Sequence, residues 1–298
     1  MTGRPDWERQ GSDWPNRAAS RFVQAGGLRW HVQVMGSGPV ALLVHGTGAA
    51  THSWRDLAPL LARHFTVVAP DIPGHGFTES PPAFRLSLPG MADEISSLLA
   101  GMGVKPDLAI GHSAGAAILA RMCLDGSIAP RGLICLNGAL LALRGVAGRI
   151  FSPVAKMLSA MPFVPGLLAW RATDGTAIAR LMADTGSRID AAGIEFYRRL
   201  ISNPAHVSAT LGMMANWDLD AFAHDLPKLA VPLALIVGDR DRAVPPADAV
   251  RVQALLPNAT IDTQPGLGHL AHEEDPAGTA APIFRIAERW KVGGRTQQ

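Results

Sequence analysis

Leu108-Ala109-Ile110-Gly111-His112-Ser113-Ala114-Gly115-Ala116-Ala117 decides the fold of this chain. Three apolar residues lead into a glycine, a serine stands two residues from a glycine on either side, and an alanine-rich run of helical character follows. A strand that turns this sharply into a helix forces its apex residue into an unfavourable backbone conformation, and flanking glycines remove the side chains that would collide. The serine is then presented at a helix N-terminus, whose free amides favour developing negative charge. This is the strand-to-helix context that a G-x-S-x-G nucleophile elbow requires, and it makes Ser113 the candidate nucleophile.

Outward from the elbow, short solidly apolar runs alternate with helical stretches. The runs are 40–44, 65–69, 108–110, 133–136, 233–237 and a weaker one at 259–263. Apolar residues at every position imply burial on both faces, hence a mostly parallel sheet covered by helices. Ahead of them, alternating segments at 21–25 and 28–35 flank Gly26-Gly27, a dipeptide that suits a tight hairpin, so the sheet is expected to begin antiparallel. That gives eight strands. Leu88, Met91, Ile95, Leu98, Leu99 and Met102 repeat at helical spacing behind Ser87, which is placed to cap, with Pro89 in the tolerant first turn. Residues 141–224 break the alternation: several helices are expected there and no strand, which reads as a lid over the carboxyl end of the sheet. The expected division is a polar, weakly ordered arm at 1–20, a core from 21–140 and 225–298, and the lid.

The elbow needs partners. His45-Gly46-Thr47-Gly48 follows the strand at 41–44, so the backbone amides of Thr47 and Ala114 are the expected oxyanion donors, and His45 is expected to hold that loop by hydrogen bonds. After the lid, Gly238-Asp239-Arg240-Asp241-Arg242-Ala243-Val244-Pro245 offers two aspartates; the spacing of glycine, two residues, aspartate and a short loop to proline favours Asp241 as the acid, with Asp239 as a turn-former. His269, after the last weak strand and before the C-terminal helix, is the expected base, and Ser, Asp, His is the chain order such folds use. The cluster His269, His272, Glu273, Glu274 and Asp275 suits no helical metal motif, and the acidic residues ahead of Pro276 read as first-turn residues of a helix, so no metal is expected. Asp71-Ile72-Pro73-Gly74-His75-Gly76 reads as a tight loop after a strand.

The chain has 298 residues, 48% of them hydrophobic and only 17% charged, with a net charge of +2. No basic stripe is available for a phosphate backbone, so nucleic acid is not an expected partner. Its two cysteines, Cys123 and Cys135, lie in apolar runs and read as buried thiols of a reducing compartment. No run reaches the roughly 18 apolar residues of a membrane span. A cytoplasmic protein is expected, with contact to a membrane surface left open. Residues 141–200 hold eight basic and four acidic residues, so the lid carries the positive charge. Methionines and aromatics there, among them Phe151, Met157, Met161, Phe163, Met213, Met214 and Trp217, would suit a broad apolar ligand bearing carboxylates, or would form the lid's own core.

With these motifs placed, the chain resembles the α/β-hydrolase-fold accessory proteins associated with magnesium chelatase in bacteriochlorophyll biosynthesis (BchO type). The resemblance runs nearly end to end. It includes Asp13-Trp14-Pro15, Gly26-Gly27-Leu28-Arg29-Trp30-His31-Val32, Thr51-His52-Ser53-Trp54-Arg55-Asp56-Leu57, Leu136-Asn137-Gly138-Ala139, Thr185-Gly186-Ser187, Met213-Met214-Ala215-Asn216-Trp217-Asp218-Leu219 and Gly268-His269-Leu270-Ala271-His272-Glu273-Glu274. The resemblance implies a role near insertion of magnesium into protoporphyrin, with protoporphyrin or magnesium-protoporphyrin as ligand and magnesium chelatase subunits as partners. Without a G-x-x-x-x-G-K-[ST] loop the chain is not the ATP-driven motor, and no cofactor is expected. Hydrolysis of an ester or related acyl bond stays open beside two alternatives: a generic esterase or carbon-carbon hydrolase for a small apolar substrate, and a tetrapyrrole-binding module without turnover.

Overall fold

The computed structural model describes residues 5–142, 157, 158, 161 and 163–292. Eight strands form one sheet: β1 (Ser20–Ala25), β2 (Leu28–Met35), β3 (Val40–Val44), β4 (Thr66–Pro70), β5 (Leu108–His112), β6 (Leu133–Leu136), β7 (Leu233–Gly238) and β8 (Thr260–Gln264). Their spatial order is β1-β2-β4-β3-β5-β6-β7-β8. The first two pairings, β1 with β2 and β2 with β4, are antiparallel, and every pairing from β4 to β8 is parallel. Gly26 and Gly27 supply the hairpin with φ of 59° and 80°, which side-chain-bearing residues rarely adopt.

Alternate residues of each central strand enter opposite cores. Leu42 and Val44 of β3 pack with Ala109, Leu133, Cys135, Leu233 and Leu235 on one face, beneath helices α1 (Leu88–Met102) and α2 (Ala114–Leu124). Ala41 and Leu43 pack with Ile110, Ile134, Leu136 and Ile236 on the other, against Leu57–Leu61 and the C-terminal helix Pro276–Arg289. This double burial is why the strands are apolar throughout. Ser87 caps α1, its hydroxyl accepting from the Gly90 amide, and Gly103 ends the helix in the left-handed region at φ 65°.

Between β6 and β7 the described residues are helical: α3 (Val164–Arg171), α4 (Gly175–Asp184), α5 (Ala191–Ile201), α6 (Pro204–Asn216) and a short turn of helix at Leu219–Asp225. The N-terminal arm differs from its polar reading. Residues Trp7–Gln10 form a helical turn, and Trp14 is 3% exposed, wedged beside Ala50, Phe77 and Leu200 with its indole N–H donated to Thr51 Oγ1 at 3.0 Å. Asp13 also receives a two-pronged bond from Arg199 of α5 at 2.6 and 2.7 Å. A few tryptophan and arginine contacts to distant segments fix the arm, and those leave no periodic trace.

Candidate active site

Ser113 sits between β5 and α2 at φ 50° and ψ −117°, a conformation costly for any residue with a side chain. It is held there from both sides: its amide donates to the Leu136 carbonyl and its carbonyl accepts from the amides of Ala116 and Ala139. The flanking glycines are steric necessities. A Cβ on Gly111 would lie 2.5 Å from the Ala116 backbone, and one on Gly115 would lie 2.0 Å from the Val44 carbonyl.

His269 and Asp241 meet. His269 Nδ1 donates to Asp241 Oδ2 at 2.8 Å, and both residues are buried. Asp241 is fixed by three further donors: the amides of Ala243 and Val244 reach Oδ1 at 2.8 Å each, and Asn137 Nδ2 reaches Oδ2 at 2.7 Å. A carboxylate so fully hydrogen-bonded holds the imidazole in one tautomer, Nδ1–H, leaving Nε2 as the basic nitrogen. Asp239, the competing aspartate, accepts instead from the Gly266 amide at 2.7 Å. The elbow and the histidine loop are tied directly, since His112 Nε2 donates to the His269 carbonyl at 2.9 Å and the two rings lie 4.8 Å apart. Burial pushes the His112 imidazole well down, helped by His272 and His269 nearby, so it stays neutral and donates through Nε2.

The second expected amide lies on the loop after β3. Ala114 opens α2, so its N–H is among those without an intrahelical acceptor. The Thr47 amide has no partner among the described residues. Gly46 is needed because a Cβ there would lie 2.9 Å from His112 Nδ1 and 3.0 Å from Ser113 Cβ. His45 holds the loop, Nδ1 donating to the Gly46 carbonyl at 2.8 Å and Nε2 accepting from the Ile72 amide at 3.0 Å; burial lowers its basicity. His206 of α6 supports it from the inserted segment, donating from Nε2 to the Gly48 carbonyl at 3.1 Å while Nδ1 accepts from the Gly76 amide at 3.2 Å. Burial lowers the His206 imidazole to about 4.

A serine, a histidine and an aspartate also line up at Ser20, His31 and Asp71: His31 Nε2 is 2.9 Å from Ser20 Oγ and Nδ1 is 2.8 Å from Asp71 Oδ2. Its setting is different. Ser20 lies in register with Gln33 in a regular antiparallel pair, Gln33 Nε2 also donates to its hydroxyl at 3.3 Å, and Trp7 covers His31 with ring centroids 4.9 Å apart. Asp71 also takes the amides of Thr51 and Phe77 at 2.7 and 2.9 Å, which makes this group a brace for the loop after β4.

Residues expected to contact substrate separate into groups. Met213 is buried and its sulfur accepts from Thr47 Oγ1 at 3.7 Å, placing it beside the loop after β3. Met214 and Trp217 are partly buried, and Trp217 packs on the sheet core. Met161 packs with Val164, Val207 and Leu211 inside the inserted segment, whereas Met157 and Phe163 are 53% and 68% exposed. Phe151 lies outside the described residues. A groove of about 320 Å³ runs between Ser80, Ala83 and Leu86 and the α6 residues Ala205, Ala209 and Gly212, and none of Ser113, Asp241 or His269 lines it. His272 and Glu273 are engaged internally: Ser53 Oγ lies 2.9 Å from His272 Nε2 and donates to Glu273 Oε1 at 2.6 Å, and Tyr197 and Arg55 also donate to Glu273. Asn137, Ser53, Ser187 and His206 went unread as site residues, because a buried hydrogen-bonding residue carries no spacing signal of its own.

Residues 41–281 match the model of the alpha/beta hydrolase family. The chain belongs to the alpha/beta hydrolase family. Within it, the chain is 40% identical over 275 residues to the magnesium-chelatase 30 kDa subunit of Rhodobacter capsulatus, covering 92% of this chain and 96% of that one. Among solved structures, an alpha/beta hydrolase fold protein from Burkholderia ambifaria superposes with a TM-score of 0.76 at 24% identity, covering 90% of this chain and 97% of the other. A thermophilic esterase from Thermogutta terrifontis gives a TM-score of 0.70 at 22% identity, with coverages of 91% and 98%. This hydrolase-family chain has no described helix long and apolar enough to cross a membrane.

Proposed function

We propose that this chain is a serine hydrolase of magnesium-tetrapyrrole metabolism, acting beside magnesium chelatase on an ester or related acyl bond. The observation that carries the hydrolytic part is the Asp241–His269 bond of 2.8 Å in a chain whose elbow serine is held at φ 50°. The metabolic part rests on the 40% identity to the magnesium-chelatase 30 kDa subunit.

In this mechanism Ser113 Oγ attacks the acyl carbon while His269 Nε2 takes its proton. The oxyanion is received by the Thr47 and Ala114 amides, which are fixed before the substrate arrives and need no reorganisation. The imidazolium, stabilised by Asp241, then protonates the leaving group, and water activated by the same nitrogen releases the acyl group from Ser113. The substrate sits between the sheet and a cap formed by helices α3 to α6, with Met213 next to the reacting centre. Met214 and Trp217 extend that apolar wall, and the cap's excess of arginine favours a ligand bearing carboxylates.

A tetrapyrrole with propionates has this combination of apolar face and charged edge. Protoporphyrin, or its magnesium complex, is expected to bind saturably with micromolar or better affinity, about −8 kcal/mol. The test is a fluorescence titration before and after covalent fluorophosphonate modification. Competition by the adduct supports the shared cleft; binding that ignores the adduct places the pigment elsewhere, and absence of saturable binding favours an esterase of small apolar substrates.

A further inference from the structure

The segment Thr185-Gly186-Ser187 joins α4 to α5 in the inserted helical part, yet its bonds go to the loops that carry the acid and the base. The Ser187 hydroxyl accepts from the Leu270 amide at 2.8 Å. That N–H belongs to the same peptide group as the His269 carbonyl, which accepts from His112 Nε2 at 2.9 Å. One peptide unit, immediately after the histidine Cα, is therefore gripped at its oxygen by the elbow and at its nitrogen by Ser187. Two residues earlier, the Thr185 carbonyl accepts from the Arg242 amide at 3.0 Å, which is the peptide following Asp241.

The contact is close and dry. Ser187 is 2% exposed and Leu270 4%. A Cβ on Gly268 would lie 2.4 Å from the Gly186 carbonyl carbon, and one on Gly186, whose φ is +87°, would lie 2.0 Å from the Arg240 carbonyl. Glu274 closes the strap, one oxygen accepting from the Gly268 amide at 2.8 Å and the other from the Arg188 amide at 2.9 Å.

We propose that Ser187 is a positioning residue for His269, so that the inserted segment aims the base as well as covering the site. This rests on the hydrolase reading of Ser113, His269 and Asp241. Its physical basis is that the Nδ1–H bond to Asp241 fixes the imidazole at one nitrogen while the grip on the 269–270 peptide fixes the backbone that carries the ring. Freeing that peptide lets Nε2 swing relative to Ser113 without breaking either side chain. Displacement of a base by a fraction of an ångström to an ångström costs turnover up to roughly 100-fold.

The test compares wild type, Ser187→Ala and Ser187→Cys in two assays: the rate of fluorophosphonate reaction at Ser113 and the kcat and KM for p-nitrophenyl acetate. Ser187→Ala is expected to lower the labelling rate and kcat roughly 10- to 100-fold with KM little changed. Ser187→Cys, which keeps the shape with a weaker acceptor, should fall between. In a His269→Ala background there is no imidazole to aim, so Ser187→Ala should cost nothing further, a non-additivity that general loosening of the fold would not produce. An equal fractional loss in both backgrounds, or wild-type rates in the alanine variant, overturns the role of Ser187. If the alanine variant does not fold, a cysteine variant with wild-type kcat overturns it equally. A wild-type chain that does not react with the probe overturns the hydrolase reading, and the role of Ser187 in aiming a base falls with it.

Discussion

The position of a single carboxylate separates the two aspartates of the β7 loop. Asp241 bonds His269 and collects three donors, while Asp239 serves the Gly266 amide. Asp241→Asn is expected to lower kcat on a p-nitrophenyl ester by up to about ten-thousand-fold, through loss of the correct imidazole tautomer. Asp239→Asn should leave kcat within a few-fold; a loss as large as that of Asp241→Asn would assign the acid to the wrong residue. The motif Gly238, two residues, Asp241 made legible which aspartate meets His269. Asn137, which donates to the same oxygen, was not legible, although it stands in a block that resembles the chelatase accessory proteins. Its φ of 47° and its bond to a residue 104 positions away exist only after folding. Asn137→Ala leaves one Asp241 acceptor site unpaired in a buried setting and is expected to cost about 1–3 kcal/mol of stability, measured by urea unfolding.

At the scale of elements, the strands were read to within two residues, the central ones because burial on both faces makes them apolar almost throughout and the first two because they alternate about a glycine pair, and α1 because its stripe faces one core. The arm was not, because its anchors are single side chains meeting segments far away in sequence. Trp14 touches the loop after β3, the loop after β4 and α5, so it joins sheet and inserted segment at once. Trp14→Ala should destabilise the chain by about 3–5 kcal/mol, and thermal unfolding would show it as a lowered midpoint. An unchanged midpoint would mean that the arm only rests on the surface. Ser187 belongs to the same class of missed residue: a connection between two helices, silent in periodicity, whose partners are the loops that carry Asp241 and His269.

For the whole molecule, the notable charge feature is inward. Six of the ten histidines, His45, His52, His75, His112, His206 and His272, are buried with basicity lowered chiefly by burial, His206 to about 4 and His272 to about 3. Unfolding restores their ordinary value of 6.5, so below that pH the unfolded chain binds protons that the folded chain refuses. Each such group removes about 1.4 kcal/mol per pH unit well below 6.5, until its folded-state value is reached. Glu273 acts in the opposite sense, because burial raises it from 4.5 to about 7 and its contribution therefore declines as pH rises through that interval. Six groups outweigh one, so urea midpoints should fall steeply from pH 7 to pH 5, and a flat profile over that range would contradict the burial of these imidazoles as neutral groups. The elbow, the Asp241–His269 pair and the loop at 45–48 all hang on this histidine-braced interior. Fluorophosphonate labelling followed by peptide mapping tests the account at its centre: it predicts one adduct, on Ser113, lost in Ser113→Ala while the fold is kept, whereas an adduct on Ser20, or on no serine at all, would contradict it.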